Sequence, residues 1–269
     1  MSLLDVNDLS AAQIRAIWAL AAAPAQRRAG TVAWSFEGNG IRTRTTFIQA
    51  FRQLGLDYTE LPNLLKTSER ACDLAGYLDP FYDIYVVRES NYERLREFAA
   101  ASSRPVINAM SSVAHPCEVL SDAYYIDSQM GPIESVKIGL WGPPGNVFQS
   151  WHALAAVFGI KVHHFCGAEF HTDNAHVVFH SGPAEKVDIL VTDGWPSEFN
   201  DPAWSLTRDH LSHLGNPKLL PTPPFSIGRD VGFDPIAYEG FVGYEQKRVL
   251  LPVQRAILMY ATLEHSSPT

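Results

Sequence analysis

Short apolar runs alternate with amphipathic stretches along most of this chain, and the alternation predicts strands interleaved with helices. Ser10 followed by Ala11, Ala12 and Gln13 predicts an N-cap with a capping box, opening an alanine-rich helix to about Ala25. Residues 30–36 (GTVAWSF) predict a buried strand, followed by the tight turn Gly38-Asn39-Gly40. From Thr43 to Leu54 the apolar side chains Phe47, Ala50, Phe51 and Leu54 recur on one helical face, with Gly55 as the stop. Residues 83–87 (DIYVV) and 105–108 predict strands, and 92–101 and 117–125 predict helices, the latter entered through His115-Pro116. The pattern pauses at Gly131-Pro132 and resumes. Strands are predicted at 136–141 (VKIGLW), 161–165, 188–192 (DILVT) and 219–220, with a helix at 147–158 and a closing helix at 254–263.

Strands that alternate with helices imply a parallel sheet, and two such runs imply an α/β protein of two doubly wound parallel-sheet domains linked by helices, with the boundary near 132. No internal repeat or low-complexity tract interrupts this reading. The 269 residues are 46% hydrophobic and 19% charged, which supplies ample core and excludes a disordered chain. A net charge of -8 argues against nucleic acid or an anionic membrane as partner, so an anionic ligand needs a local positive focus. Cys72, Cys117 and Cys166 are too few for a disulfide framework, and the absence of a CxxC pair argues against zinc. The start Met1-Ser2-Leu3-Leu4-Asp5 lacks a basic leader and residues 17–25 are too short to span a bilayer, so a soluble cytoplasmic protein is expected.

In parallel α/β sheets ligands bind beyond the carboxyl ends of the strands, and the loops there carry the candidate chemistry. In residues 37–45 (EGNGIRTRT) two glycines let backbone N–H groups approach a ligand, and Arg42, Thr43, Arg44 and Thr45 open a helix whose N-terminus favours anions, which suits a phosphate. The alternative is an arginine that faces solvent or pairs with Glu37. Arg88 ends the strand DIYVV, where a lone arginine is either a ligand group or a surface ion pair. His115 either polarises a carbonyl oxygen or caps the helix it precedes, and Glu118 can accept from an amide NH2. Cys117 reads as a packed thiol. Gly139, Gly142 and Gly145 depart from the G-x-G-x-x-G spacing, so no dinucleotide cofactor is expected. Asp193, after DILVT, either holds a substrate ammonium or caps its own turn. His163, His164, His171, His176 and His180 lack the order of a metal site and read as a solvated or partly packed surface, with no metal.

Together these loops resemble the aspartate/ornithine carbamoyltransferase family nearly end to end. Phe36-Glu-Gly-Asn-Gly-Ile-Arg-Thr-Arg-Thr-Thr-Phe47 is similar to its motif of a phenylalanine followed by Ser-Thr-Arg-Thr-Arg and a helix. His115-Pro-Cys-Glu118 resembles His-Pro-x-Gln, and residues 137–142 with Asn146, Val147 and Ser150 resemble the strand and Asn-Asn-Val-x-x-Ser turn. Asp193-Gly-Trp195 resembles Asp-Val-Trp, Leu219-Leu-Pro221 stands at His-Cys-Leu-Pro, and Gln254-Arg-Ala256 matches Gln-Lys-Ala.

The resemblance implies a carbamoyl-phosphate domain over 1–132, completed by a closing helix at 252–269 that returns to it, and an amine-substrate domain over 133–251. It implies a homotrimer that moves the carbamoyl group of carbamoyl phosphate to an amine of an amino acid or related metabolite, without a cofactor. Gly40, Ile41, Arg42, Thr43, Arg88, His115 and Glu118 would bind the donor, with Arg42, Arg88 and His115 catalytic. Asn146, Asp193 and Leu220 would bind the amine. The departures are Gly40 for serine, Ile41 for threonine, Glu118 for glutamine, and Pro196-Ser197-Glu198 where a Ser-Met-Gly loop is expected. Residues 57–69 are short where relatives carry an intersubunit loop, with Lys66 as the candidate for that loop's lysine, and Arg248 is the candidate for an arginine before the last helix. These departures keep two alternatives in view: the same fold turned to another transfer, or an inactive regulatory or scaffold relative.

Overall fold

The structure, a computed structural model, describes residues 1–263. The described chain forms two compact units, one of residues 1–124 together with 248–263, the other of residues 125–247. These limits differ from the expected 132 and 252 because two helices, α5 (Pro116–Gln129) and α8 (Gly243–Leu263), run through them.

The first unit holds a four-stranded parallel sheet in the order β2-β1-β3-β4, built from β1 (Thr31–Phe36), β2 (Asp57–Glu60), β3 (Ile84–Arg88) and β4 (Val106–Met110). Its helices are α1 (Ala11–Ala22), α2 (Ile41–Leu54), α3 (Ala71–Leu78), α4 (Tyr92–Ala101) and α5. Ser10 and Gln13 form the expected capping box on α1. That helix stops at Ala22, short of Ala25, because Ala23 precedes a proline and turns extended. Gly55 ends α2 in the left-handed region, φ 73°. Strand alternation sends Ala33, Tyr85, Val87 and Val106 to one face, under Leu74, Leu95 and Phe98. Trp34 and Phe36 go to the other face, where Trp34 meets the rings of Phe47 and Phe51 on α2.

The second unit holds a five-stranded parallel sheet in the order β7-β6-β5-β8-β9. Its strands are β5 (Ile138–Trp141), β6 (Val162–Phe165), β7 (Val177–His180), β8 (Ile189–Thr192) and β9 (Lys218–Pro221), with α6 (Asn146–Phe158) and α7 (Arg208–His213). Trp141, Phe165, Leu190 and Leu219 pack with Leu206, Leu211 and Leu214. Phe148, Trp151 and Leu154 of α6 are buried as well.

Apolar patterning leaves β2, β7, α3 and α7 unread. The two strands are sheet edges. All four residues of β2 (DYTE) are exposed, and pairing with β1 makes them a strand. The last helix begins at Gly243, ahead of the expected Gln254, and carries Pro252 inside it. Proline forfeits one backbone hydrogen bond there, against the burial of Leu250, Val253, Ala256, Ile257 and Leu258.

Both sheets reverse direction beside their first strand. In the first, the chain moves from β1 outward to β2, then crosses back to β3 on the other side. In the second it moves from β5 to β6 and β7, then crosses back to β8. Loops leaving adjacent strands at such a reversal part in opposite directions and open a crevice at the carboxyl edge. The crevices lie after β1 and β3 in the first unit, and after β5 and β8 in the second.

Candidate active site

In the first unit Phe36 at the end of β1 is in register with Arg88 at the end of β3, and Arg88 with Met110 at the end of β4. The ladder continues into the loops, where Glu37 N–H donates to Arg88 O (3.0 Å), Glu89 N–H to Met110 O (3.1 Å) and Ser112 N–H to Ser90 O (3.2 Å). This brings residues 37–45, Arg88 and the loop to His115 to one edge.

The α2 helix starts there without a side-chain cap: Gly40 stands at the N-cap position with φ 39° and ψ 36°. The first-turn N–H groups of Ile41, Arg42 and Thr43 have no acceptor within the helix, and the helix dipole makes that end favourable to an anion. A Cβ at position 40 would lie 2.6 Å from the Phe36 ring and 2.8 Å from a terminal nitrogen of Arg88. Glycine in place of the family's serine therefore lets the Arg88 guanidinium and the Phe36 ring close over the helix start. Arg88 is half-buried, with its guanidinium 5.7 Å from the centre of the Phe36 ring. Burial lowers its pKa, opposed by the charge of Glu37, and arginine remains charged at neutral pH. Arg42 is exposed and Thr43 buried in the same turn, while Ile41 is 69% exposed at the helix tip.

Arg44, read from sequence as part of the phosphate focus, is engaged by a carboxylate of its own unit. It is ion-paired to Glu60 on β2 at 2.5 Å and covers the rings of Phe36 and Trp34. Lys66, the candidate for an intersubunit lysine, is held within its own unit. It donates to Glu89 Oε1 (2.5 Å) and pairs with Glu37 Oε1 (3.2 Å). The Ser90 N–H on Glu37 Oε2 (2.6 Å) holds the Glu37 carboxyl below the usual range, with Lys66 adding to the effect. Glu89, next to Arg88 and only 3% exposed, went unnoticed in the sequence because nothing there pairs it with Lys66.

His115 (7% exposed) and Glu118 (4%) are buried at the start of α5, and the His115 carbonyl accepts the Val119 N–H. Asn108 braces the approach to them, donating through Nδ2 to Leu4 O (2.8 Å), Ser111 Oγ and Ala114 O. Cys117 is fully buried, burial pushes its thiol pKa up, and it points at Asn108 O; it is a packed thiol. Arg248 is exposed on α8.

In the second unit α6 also starts on a glycine without a side-chain cap, Gly145. A Cβ there would lie 3.3 Å from Asp193 Oδ2, so the carboxylate that leaves β8 stands against the start of α6. Its other oxygen accepts the Gly194 N–H (2.9 Å), so Asp193 does cap its own turn and keeps one oxygen toward the helix. Asn146, the first residue of α6, is half-buried beside it. Leu220 is 1% exposed within β9, in register with Val191, and belongs to the core rather than to a substrate-facing surface. Where the Ser-Met-Gly loop was expected, Arg229 organises residues 195–199. Its guanidinium donates to Pro196 O (2.7 Å) and Phe199 O (2.8 Å) and lies over the Trp195 ring. No motif surrounds Arg229, so the sequence carried no signal for it.

The histidine stretch is partly packed: His163, His171, His176 and His180 are half-buried, and His164 is buried. Among the described residues no group of three or more His, Cys, Asp or Glu is arranged to hold a metal. His164 is fully buried on β6, with Nε2 2.9 Å from Gly142 O and Nδ1 3.1 Å from His152 Nε2. A carbonyl oxygen only accepts, so His164 carries its proton on Nε2 and accepts at Nδ1 from His152. Burial drives both pKa values down, His152 to about 4 and His164 to about 3, and the pair is neutral. It anchors the Gly142 carbonyl at the turn into α6.

Residues 1–128 match the family described as aspartate/ornithine carbamoyltransferase, carbamoyl-P binding domain. Among curated relatives, the ornithine carbamoyltransferase of Nitrobacter winogradskyi is 30% identical over 221 residues, which is 72% of this chain and 72% of the relative. That of Ralstonia pickettii is 31% identical over 258 residues, covering 86% and 83%. Among solved structures, ornithine carbamoyltransferase from Burkholderia thailandensis superposes with a TM-score of 0.86 at 23% identity, covering 97% of this chain and 98% of that one. The Pyrococcus furiosus enzyme does so with 0.86 at 23%, covering 96% and 95%.

Proposed function

The chain belongs to the aspartate/ornithine carbamoyltransferase family, a family of carbamoyl-transferring enzymes, and from that premise we propose that it moves the carbamoyl group of carbamoyl phosphate to an amine of an amino acid or related metabolite. The observation that carries this reading is the register of Phe36, Arg88 and Met110. It gathers the uncapped start of α2, Arg88 and the loop to His115 on one sheet edge. No observation favours an inactive or repurposed relative, since Arg42, Arg88 and His115 all stand at that edge.

In this reading the phosphate of the donor takes the N–H groups of Ile41 to Thr43, the Arg42 and Arg88 guanidinium groups and the Thr43 hydroxyl. His115 donates to the carbamoyl oxygen, and Glu118 accepts from the carbamoyl NH2. A neutral amine attacks the carbamoyl carbon. The new C–N bond forms, the carbonyl oxygen gains negative charge, and the C–O bond to phosphate breaks with its electron pair leaving on phosphate. The amine proton ends on the departing phosphate. Catalysis is positioning plus stabilisation of the oxygen and of the leaving group, worth about 10²–10³ in rate for one such donor. Asp193 and Asn146 hold the amine substrate, with Asp193 supplying the carboxylate that recognises an ammonium group before it loses its proton. The same reading includes a homotrimer in the cytoplasm; among the described residues no helix is long and apolar enough to cross a membrane.

Phosphate release from carbamoyl phosphate, followed with a panel of amines and amino acids, tests the proposal. Release that depends on one class of amine supports it. No release with any amine, together with no heat of binding for carbamoyl phosphate, contradicts it.

A further inference from the structure

We infer that Lys66 is a positioning residue for the donor: it holds Glu37 and Glu89 and so leaves the Arg88 guanidinium free for phosphate. This rests on the reading of the first unit's edge as the carbamoyl-phosphate site. Two carboxylates flank Arg88 there. Glu37 leaves β1 and is joined to Arg88 by the backbone bond between its N–H and the Arg88 carbonyl, and Glu89 follows Arg88 directly. Glu37 lies close enough for its charge to act on that guanidinium.

The lysine occupies both carboxylates instead. An ammonium group has three N–H donors, and here they meet Glu89 Oε1 at 2.5 Å, Glu37 Oε1 at 3.2 Å and Ser90 Oγ at 3.5 Å. The remaining Glu37 oxygen accepts the Ser90 N–H, and Glu89 Oε1 also accepts the Asn91 N–H (2.9 Å). The two close contacts of Lys66 are both to these carboxylates, so its effect passes through Arg88. It also sets the sign of the edge. Arg42, Lys66 and Arg88 stand against the carboxyl groups of Glu37, Glu89 and Glu118, and without Lys66 the carboxyl groups outnumber the cations where a phosphorylated anion must bind. Glu37 and Glu89 keep their place in the backbone network, which explains why they are held rather than absent.

Steady-state kinetics tests this on the wild type, Lys66→Met and Lys66→Met/Glu37→Gln, and on the same three in a Glu89→Gln background. The last removes the buried carboxylate that Lys66→Met would strand, so the comparison survives if the single variant does not fold. Lys66→Met, with or without Glu89→Gln, is expected to raise KM for carbamoyl phosphate by about tenfold with kcat within about twofold, and Glu37→Gln added to it to restore KM to within about threefold. A merely structural lysine predicts a lowered melting temperature with no rescue by Glu37→Gln. An unchanged KM in Lys66→Met, or folded double variants that do not recover, would overturn the inference. If the wild type ignores carbamoyl phosphate, the reading of the donor fails instead. The same proteins titrated with inorganic phosphate then decide the role of Lys66: weaker binding in Lys66→Met restored by Glu37→Gln upholds it, and equal binding overturns it.

Discussion

The two sheet edges use the same backbone plan with opposite chemistry. Each places a glycine-led, uncapped helix start after one strand, and a charged side chain after the neighbouring strand across the reversal. In the first unit that side chain is Arg88, in a setting of ions: Lys66, Glu37, Glu89 and Arg42. In the second it is Asp193, in a setting of neutral or neutralised groups: the His152–His164 pair, Trp195, and an Arg229 spent on backbone carbonyls. A parallel-sheet crevice is indifferent to the ligand it holds, and the residue that ends the second strand decides the sign of the charge it accepts. One edge suits an anion and the other an ammonium group.

Breaking either edge exposes the difference. The largest effects belong to the first. His115→Ala is expected to lower kcat by about 10²–10³ with the fold intact, because the donor to the carbamoyl oxygen is lost. Arg88→Ala is expected to weaken carbamoyl phosphate by about 100-fold, since a half-buried charged contact to an anion is removed. On the second edge, Asp193→Asn is expected to raise KM for the amine by about 10- to 100-fold while leaving KM for carbamoyl phosphate within about twofold. A rise in the donor KM instead would mean the two edges do not divide the substrates.

A smaller effect follows from the neutral histidines. His152 is held at about 4 in the folded protein, below its ordinary value near 6.5, so between these values the unfolded chain binds the proton and the folded one does not. Stability is therefore full above pH 6.5 and falls as pH drops toward 4, by about 1.4 kcal/mol per pH unit for a single such histidine. Urea unfolding at pH 7 and pH 5 measures the slope, and His152→Gln should reduce it, leaving the part that His164 contributes. The smallest effect belongs to Arg44. Its guanidinium is committed to Glu60 in a partly exposed ion pair, so Arg44→Ala should cost about 1 kcal/mol or less and leave KM for carbamoyl phosphate within about twofold.

The sequence carried the core strands and helix starts well, because burial writes itself as apolar runs: β1, β3, β5 and β8 are buried along nearly their whole length. Edge strands left no such trace. β2 is fully exposed and exists because β1 offers it a free ladder. Of the residues that the proposed function uses, Arg42, Arg88, His115 and Asp193 stand out in the sequence because each lies where a strand ends or a helix opens. Arg44, in the same run as Arg42, is turned toward Glu60, because position in a motif does not say which partner a helical side chain meets. Leu220, expected at the amine, has its side chain packed within β9, where Leu219 on the opposite face is buried as well. Lys66, Glu89, His164 and Arg229 act through partners distant in sequence, and no local pattern announces them.

The account stands on Arg88 and the start of α2 forming an anion site for the carbamoyl donor. Calorimetric titration of carbamoyl phosphate into the wild type and into Arg88→Ala tests it most directly. One site per chain in the wild type, weakened by about 100-fold in the variant, is the expected result. Equal affinity in the two proteins, or no binding to the wild type, would contradict it.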